Sequence, residues 1–324
     1  MNEPKRHHWW PILQSQHWTG ASGKLYATKS SGESIYVNPR NIGLEGDLYT
    51  RYDLTGTKDL TIEKWFSSEI EGPFRETLDF LASLPGLRKV RLPPLPREHQ
   101  HKEHTAKELG FIIGNYEETI DLPNEHRLSL SKYLSALLVR NPMYIRKLQE
   151  FHNRESVDWL KSNVGTDDFR SVVKTVALDN MLKLFDTYGK RIVAADFLFL
   201  KREAGHEFLF ADAGIVAQEP WRSGPIPFEI HAALTPDLAV EVLPAPVSYF
   251  PRRGILGRVS NVGVRRFNRV VVGNAERFVF SRGAPPIEFI KKHFGKPAPD
   301  AYGYQWTNGR METIYDRARD DYNS

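Results

Sequence analysis

Apolar positions change their period near the middle of this chain. Over residues 57–189 they recur at helical spacing, whereas from Arg191 onward they alternate or gather into short runs bounded by Gly, Pro or charge. In "LTIEKWFSSEIEGPFRETLDFLASLPG", Ile62, Trp65, Phe66, Ile70, Phe74, Leu78 and Leu81 share a helical face. Gly72-Pro73 interrupts that face and Pro85-Gly86 ends it, which predicts two short helices. Next, "SLSKYLSALLVRNPMYIRKLQEF" lines up Leu130, Tyr133, Leu134, Leu137 and Leu138. Pro142 lies within the pattern and cannot donate to the Leu138 carbonyl, so a kink is expected beside Arg140. A further helix is expected over Asp167–Tyr188, stopping at Gly189.

The later runs "RIVAADFLFL", "HEFLFAD", "PIPFEIHAAL" and "LAVEVLP" read as strands of a mainly antiparallel sheet. "VGVRRFNRVVVGNAERFVFS" reads as a helix leading to a last strand, and "PPIEFIKKHF" as a short helix begun by Pro. Near the start, "KLYATKSSGESIYVNP" has the alternation and polar turn of a hairpin, a candidate to join the later sheet. The expected fold class is α+β, a helical N-terminal half packed on a mainly antiparallel sheet. Residues 1–324 are taken as a single domain, helical over about 57–189, with its sheet over about 190–282 plus hairpin 24–38, although the length would also suit two.

Composition narrows the setting. No apolar stretch approaches the roughly 18 residues of a bilayer span, and the N-terminus lacks the apolar core of a secretory signal. The chain has no Cys, which removes disulfides and thiolate chemistry and fits a reducing compartment; a cytoplasmic protein with no membrane association is expected. A formal net charge of +4 is too small to imply nucleic acid by itself. Gly-rich phosphate loops, HExxH and GxSxG patterns are absent.

Several blocks nevertheless resemble, in order, a bacterial family known as domain of unknown function 4238. They are the opening "HHWWPILQSQHW", "VNPRNIGLEGDLYT", "LLVRNPMYIR", "EFLFADAGIVA", "PFEIHAALTPDLAVEVLP" and "NAERFVFS", from about His7 to Ser281. Where the family pattern reads Ser-Asp-Asn-Pro, this chain has Ala211-Asp212-Ala213-Gly214, so any role needing that hydroxyl or Pro does not carry over. The resemblance implies an architecture and a set of positions, not a mechanism.

The polar residues in those blocks are the candidates for chemistry. His7 and His8 are adjacent, so on a strand they face opposite sides, and the family pattern favours His8, whose imidazole is a candidate general base, metal ligand or hydrogen-bond donor to a phosphate. Arg140 sits in an apolar stripe and needs an acidic partner, either a substrate anion or Glu69, Glu71 or Asp212. Of Glu69 and Glu71, an (i, i+2) pair, one at most enters a shared site. Asp212 ends a strand, where a carboxylate serves as ligand, as base or as closure of an Asx-type turn. Asp196 interrupts an apolar strand, and "HQHKEH" (99–104) reads as a solvated loop. The segment from Phe250 to Arg269 carries Arg252, Arg253, Arg258, Arg265, Arg266 and Arg269 without an acid, a pattern suited to phosphates.

These features give one leading expectation. It is a hydrolase or nuclease-like enzyme on a phosphate-containing substrate, with a divalent metal as a candidate cofactor, in which His8, Arg140 and Asp212 converge and Glu71 assists. The competing expectation is a nucleic-acid-binding or regulatory module using the Arg segment, with a stress or phage-defence role as a further variant.

Overall fold

The computed structural model describes residues 6–52, 57–84, 117–120, 122–155, 166–218, 229–243, 254–259, 261–296, 304–307 and 310–313. In chain order its elements begin with β1 (Arg6–His8), α1 (Ile12–Ser15), β2 (Leu25–Thr28), β3 (Ser34–Val37), β4 (Leu44–Gly46), β5 (Arg51–Tyr52) and β6 (Lys58–Asp59). There follow α2 (Thr61–Trp65), a π-helical segment (Phe66–Glu71), α3 (Gly72–Ser83), β7 (Glu117–Ile120), α4 (Asn124–Val139), α5 (Pro142–Glu155) and α6 (Thr166–Ala194). The remainder is β8 (Asp196–Arg202), β9 (Phe210–Ala211), β10 (Val216–Gln218), β11 (Glu229–Thr235), β12 (Leu238–Leu243), β13 (Gly254–Val259), α7 (Asn261–Gly273), β14 (Val279–Ser281), α8 (Ile287–His293), β15 (Tyr304–Thr307) and β16 (Arg310–Thr313). The fold is α+β, and its residues group into two compact units.

The first unit comprises residues 1–19, 37–84 and 123–194. Its core is the stripe read from the sequence: Phe66, Ile70, Phe74, Leu78 and Leu81 meet Leu130, Tyr133, Leu134 and Leu137 of α4, and α4 packs on α6 through Ala177, Leu178 and Met181. Each such side chain taken out of water contributes roughly 1.5–3 kcal/mol. The Phe74 and Tyr133 rings stack at 3.6 Å between centroids.

Three helix boundaries differ from expectation, each for a local reason. Gly72-Pro73 does not split the first helix. The chain instead widens into the π segment, where the Gly72 N–H reaches back five residues to the Ser67 carbonyl, and Pro73 falls in the first turn of α3, where its missing donor costs little. Pro142 does more than kink: α4 ends, Arg140 caps it, and Pro142 opens α5 as a separate helix. Gly189 does not stop α6, which runs on to Ala194. At that point α6 crosses Ser135 of α4, whose hydroxyl donates to the Phe185 carbonyl at 2.6 Å, and the packing outweighs the ~1 kcal/mol cost of an internal glycine.

The second unit comprises residues 20–36, 85–122 and 195–324. It holds a six-stranded sheet in the order β10-β11-β12-β8-β13-β7, antiparallel except for the parallel pair β13 and β8. A four-stranded sheet, β3-β2-β14-β9, incorporates the N-terminal hairpin, with Val279 opposite Thr28 and Ser281 opposite Tyr26. Helix α7 packs on β9, β11 and β13 through Val264, Phe267, Val270 and Val271. Among the described residues, no helix is long and apolar enough to cross a membrane.

Candidate active site

The stretch "HHWWPILQSQHW" is largely core. Trp9, Trp10 and Trp18 are buried, and the buried Gln14 side chain accepts a hydrogen bond from the Tyr133 hydroxyl. The two adjacent imidazoles lie on β1, which, held in register by β4 (His7 opposite Glu45, His8 opposite Leu44), turns them to different surroundings. His7 is fully buried; its Nδ1 accepts the Tyr49 backbone N–H at 2.9 Å and its ring stacks on that of Tyr49. His8 is half-buried and faces the π segment.

Arg140 organises that side. Its side chain is only 2% exposed, yet each of its three nitrogens donates a hydrogen bond. Nη1 donates to Glu71 Oε1 at 2.7 Å, Nη2 donates to the His8 carbonyl, and Nε donates to the Tyr49 hydroxyl at 3.3 Å. The same hydroxyl donates to the Arg140 carbonyl at 2.6 Å, the group freed where α4 ends. The guanidinium carbon also lies 4.7 Å from the Phe66 ring centroid. Burial alone would weaken the charge, but Tyr49 and Glu71 more than restore it, so Arg140 stays cationic. Glu69, two residues from Glu71, is exposed.

A second carboxylate joins this cluster and was not picked out from the sequence. Glu63 accepts the His8 backbone N–H, feels both Arg140 and Glu71, and is pushed up from the usual carboxylate range, chiefly by burial. In a regular α-helix of 3.6 residues per turn, positions 63 and 71 lie about 80° apart. The π segment between them rotates less per residue and brings both toward the same arginine. Reading that from sequence would require knowing the π segment in advance. The His8 ring is held down from its ordinary value, first by burial and also by Arg140, while its hydrogen bond to the Ile42 backbone and Glu71 oppose this. His8 Nδ1 and Glu63 Oε2 are buried and have no hydrogen-bond partner among the described residues.

Asp212 belongs to the second unit and is committed there. Its Oδ1 accepts the Glu276 N–H at 2.8 Å; its Oδ2 accepts those of Arg277 and Phe278 at 2.7 and 3.1 Å. Its own N–H donates to the Phe278 carbonyl. Burial raises its pKa and the three N–H groups pull it back. The Asp212 and "NAERFVFS" blocks are thus one feature, a carboxylate fastening the connection between α7 and β14.

Of the arginine segment, Arg252 and Arg253 lie outside the described residues, as does "HQHKEH". Arg258 on β13 and Arg265 on α7 are exposed, and Arg266 and Arg269 are half-buried on α7. The Asp196 side chain is outside the described ones. A buried pair on neighbouring strands, His231 on β11 and Glu241 on β12, was also missed, with Nδ1 3.3 Å from Oε1. A His and a Glu inside otherwise apolar runs were the available signal. Among the described residues, no group of three or more His, Cys, Asp or Glu is arranged to hold a metal ion.

Three imidazoles, those of His7, His8 and His17, are held below their ordinary 6.5, in each case first by burial. The unfolded chain therefore binds more protons than the folded one just below that value, and stability is lost as pH falls through it. Glu63 and Asp212, raised, act in the opposite sense over the carboxylate range. The expected result is a lower thermal midpoint at about pH 5.5 than at about pH 7.5, measured by calorimetry; an equal or higher midpoint would contradict the neutral imidazoles.

A family model described as a protein of unknown function, DUF4238, matches residues 6–284, most of the chain. No curated protein and no solved structure matches.

Proposed function

We propose, for a chain that belongs to the DUF4238 family, a hydrolytic function centred on His8 and Glu63. The observation that carries it is a pair of buried, unpartnered polar atoms, His8 Nδ1 and Glu63 Oε2, on residues already joined through the His8 N–H. A water or hydroxyl group that reaches either atom would satisfy it. Burial keeps the imidazole neutral and able to accept a proton, and it favours the carboxylic acid at Glu63. In the proposed step, water gives a proton to His8 as its oxygen attacks the substrate, and Glu63 gives its proton to the departing group. Arg140 and Glu71 act as positioning residues: the guanidinium is committed to Glu71, Tyr49 and the His8 carbonyl, so it sets the base and does not grip substrate. A bacterial, cytoplasmic setting belongs to this reading, and the absence of Cys suits its reducing compartment.

The test is a panel of carboxylic esters, phosphate monoesters and phosphodiesters, including RNA and DNA. Replacing His8 by Gln and Glu63 by Gln should each lower turnover by about 10²–10⁴ with the circular dichroism unchanged. The pH–rate profile should be bell-shaped with its optimum on the acid side of neutrality. His8→Gln should remove its acid limb and Glu63→Gln its alkaline limb. Full activity in both variants would reject the site.

A second reading, binding of nucleic acid, is favoured by one observation: α7 carries Arg265, Arg266 and Arg269 and no acid, with Arg265 exposed. If RNA or DNA binds with an affinity that falls steeply with salt, is weakened in Arg265→Ser and is not hydrolysed, this reading replaces the first.

A further inference from the structure

His7 and His8 face different surroundings, yet a chain of contacts within the first unit runs from the His7 ring to the guanidinium that holds His8. The Tyr49 backbone N–H donates to His7 Nδ1 at 2.9 Å, so that nitrogen keeps its lone pair and the proton of the neutral ring sits on Nε2. A proton added at Nδ1 would set two N–H groups against each other inside a fully buried site. The His7 ring also stacks on that of Tyr49. Tyr49 is fully buried as well, and its hydroxyl both accepts from Arg140 Nε and donates to the Arg140 carbonyl. Arg140 in turn donates to the His8 carbonyl through Nη2 and to Glu71 through Nη1. Contacts through two residues thus lead from one imidazole to the backbone of the other.

We propose that His7 is a positioning residue: its neutral ring fixes Tyr49, Tyr49 fixes Arg140, and Arg140 fixes the backbone of His8. Its effect on turnover rests on the hydrolytic reading, whereas its hold on Arg140 does not. The charged groups around His7 are paired with one another. The Asp47 carboxylate accepts from Lys58 Nζ at 2.9 and 3.0 Å and from the Thr50 hydroxyl, and the Asp47 carbonyl accepts from Lys174 Nζ. Glu45, opposite His7 on β4, is paired with Arg146 at 3.1 Å. Burial is the first cause that disfavours the imidazolium; Asp47 opposes it, and Lys174 and Lys58 add to it. The bond to Tyr49 is therefore present above the His7 titration and lost as pH falls through it, below the ordinary 6.5. Acid would loosen the Arg140 cluster from the side away from His8.

The experiment follows the full chain by nitrogen NMR and hydrogen exchange. At neutral pH the His7 ring should show Nε2 protonated and Nδ1 bare, and protection of the Tyr49 amide should fall about tenfold as His7 titrates. His7→Phe keeps a stacking ring without the acceptor. It should lower protection of the Tyr49 amide and of the Arg140 Nε–H about tenfold at neutral pH. His7→Asn offers a carbonyl oxygen in place of Nδ1 and does not titrate, so it should restore both protections and keep them as the pH is lowered. With the ester panel, kcat should fall about tenfold in His7→Phe at unchanged KM and return in His7→Asn. Three results would each overturn the proposal: a His7 proton on Nδ1, Arg140 Nε–H exchange in His7→Phe equal to the parent's, or loss of protection in His7→Asn equal to that in His7→Phe. The expected exchange with no turnover in the parent chain would instead reject the hydrolytic reading alone.

Discussion

Arg140→Ala is expected to destabilise the protein by about 3–5 kcal/mol, the range found when one partner of a buried ion pair is removed. The substitution strips Glu71, itself only 21% exposed, of its cation and leaves the His8 carbonyl without a donor. It also removes the guanidinium from the Phe66 face and from the Tyr49 hydroxyl. Lysine should not restore the loss, because one ammonium cannot reach in the three directions that the guanidinium serves. Urea denaturation of the parent chain, Arg140→Ala and Arg140→Lys measures this directly. A loss below about 1 kcal/mol would mean that the pair is worth no more than a surface ion pair and that Arg140 does not hold the site together.

The second large effect is expected at Asp212. Asp212→Ala leaves the N–H groups of Glu276, Arg277 and Phe278 without their acceptor, and unmet buried donors cost ~1–3 kcal/mol each before relaxation. Access of water to the half-buried connection will recover part of that, so a net loss of about 2–4 kcal/mol is expected. Asp212→Asn keeps one oxygen but places an NH2 against backbone donors, and should recover less than half of the loss. Hydrogen exchange at residues 276–278 should rise in both variants. A catalytic Asp212 would behave oppositely, with exchange and stability unchanged and turnover lost.

Neither prediction follows from residue type alone, and the contrast shows what the chain reveals in one dimension. The stripe from Ile62 to Leu81, the α4 stripe through Leu137 and the hairpin over residues 24–38 were legible because burial imposes a period on the sequence. The opposed surroundings of His7 and His8 were legible too, since strand geometry alternates faces. Glu71 rather than Glu69 meeting Arg140 needed the helix to be placed against α4. Glu63 needed still more, the π segment that rotates it toward the same guanidinium.

Local chemistry by itself determined the α+β class, the main helical stretches and the strands of the later sheet though not where each helix ends, and the requirement that a cation at Arg140 find an acid. Periodicity, turn residues and desolvation act over a few residues and leave their mark in order along the chain. Which acid answers Arg140, and that Asp212 spends its carboxylate on three backbone donors, were decided only in three dimensions. The partners lie 69 positions apart in the first case and 64 to 66 in the second, and such pairing depends on how packed elements meet, which no local pattern encodes.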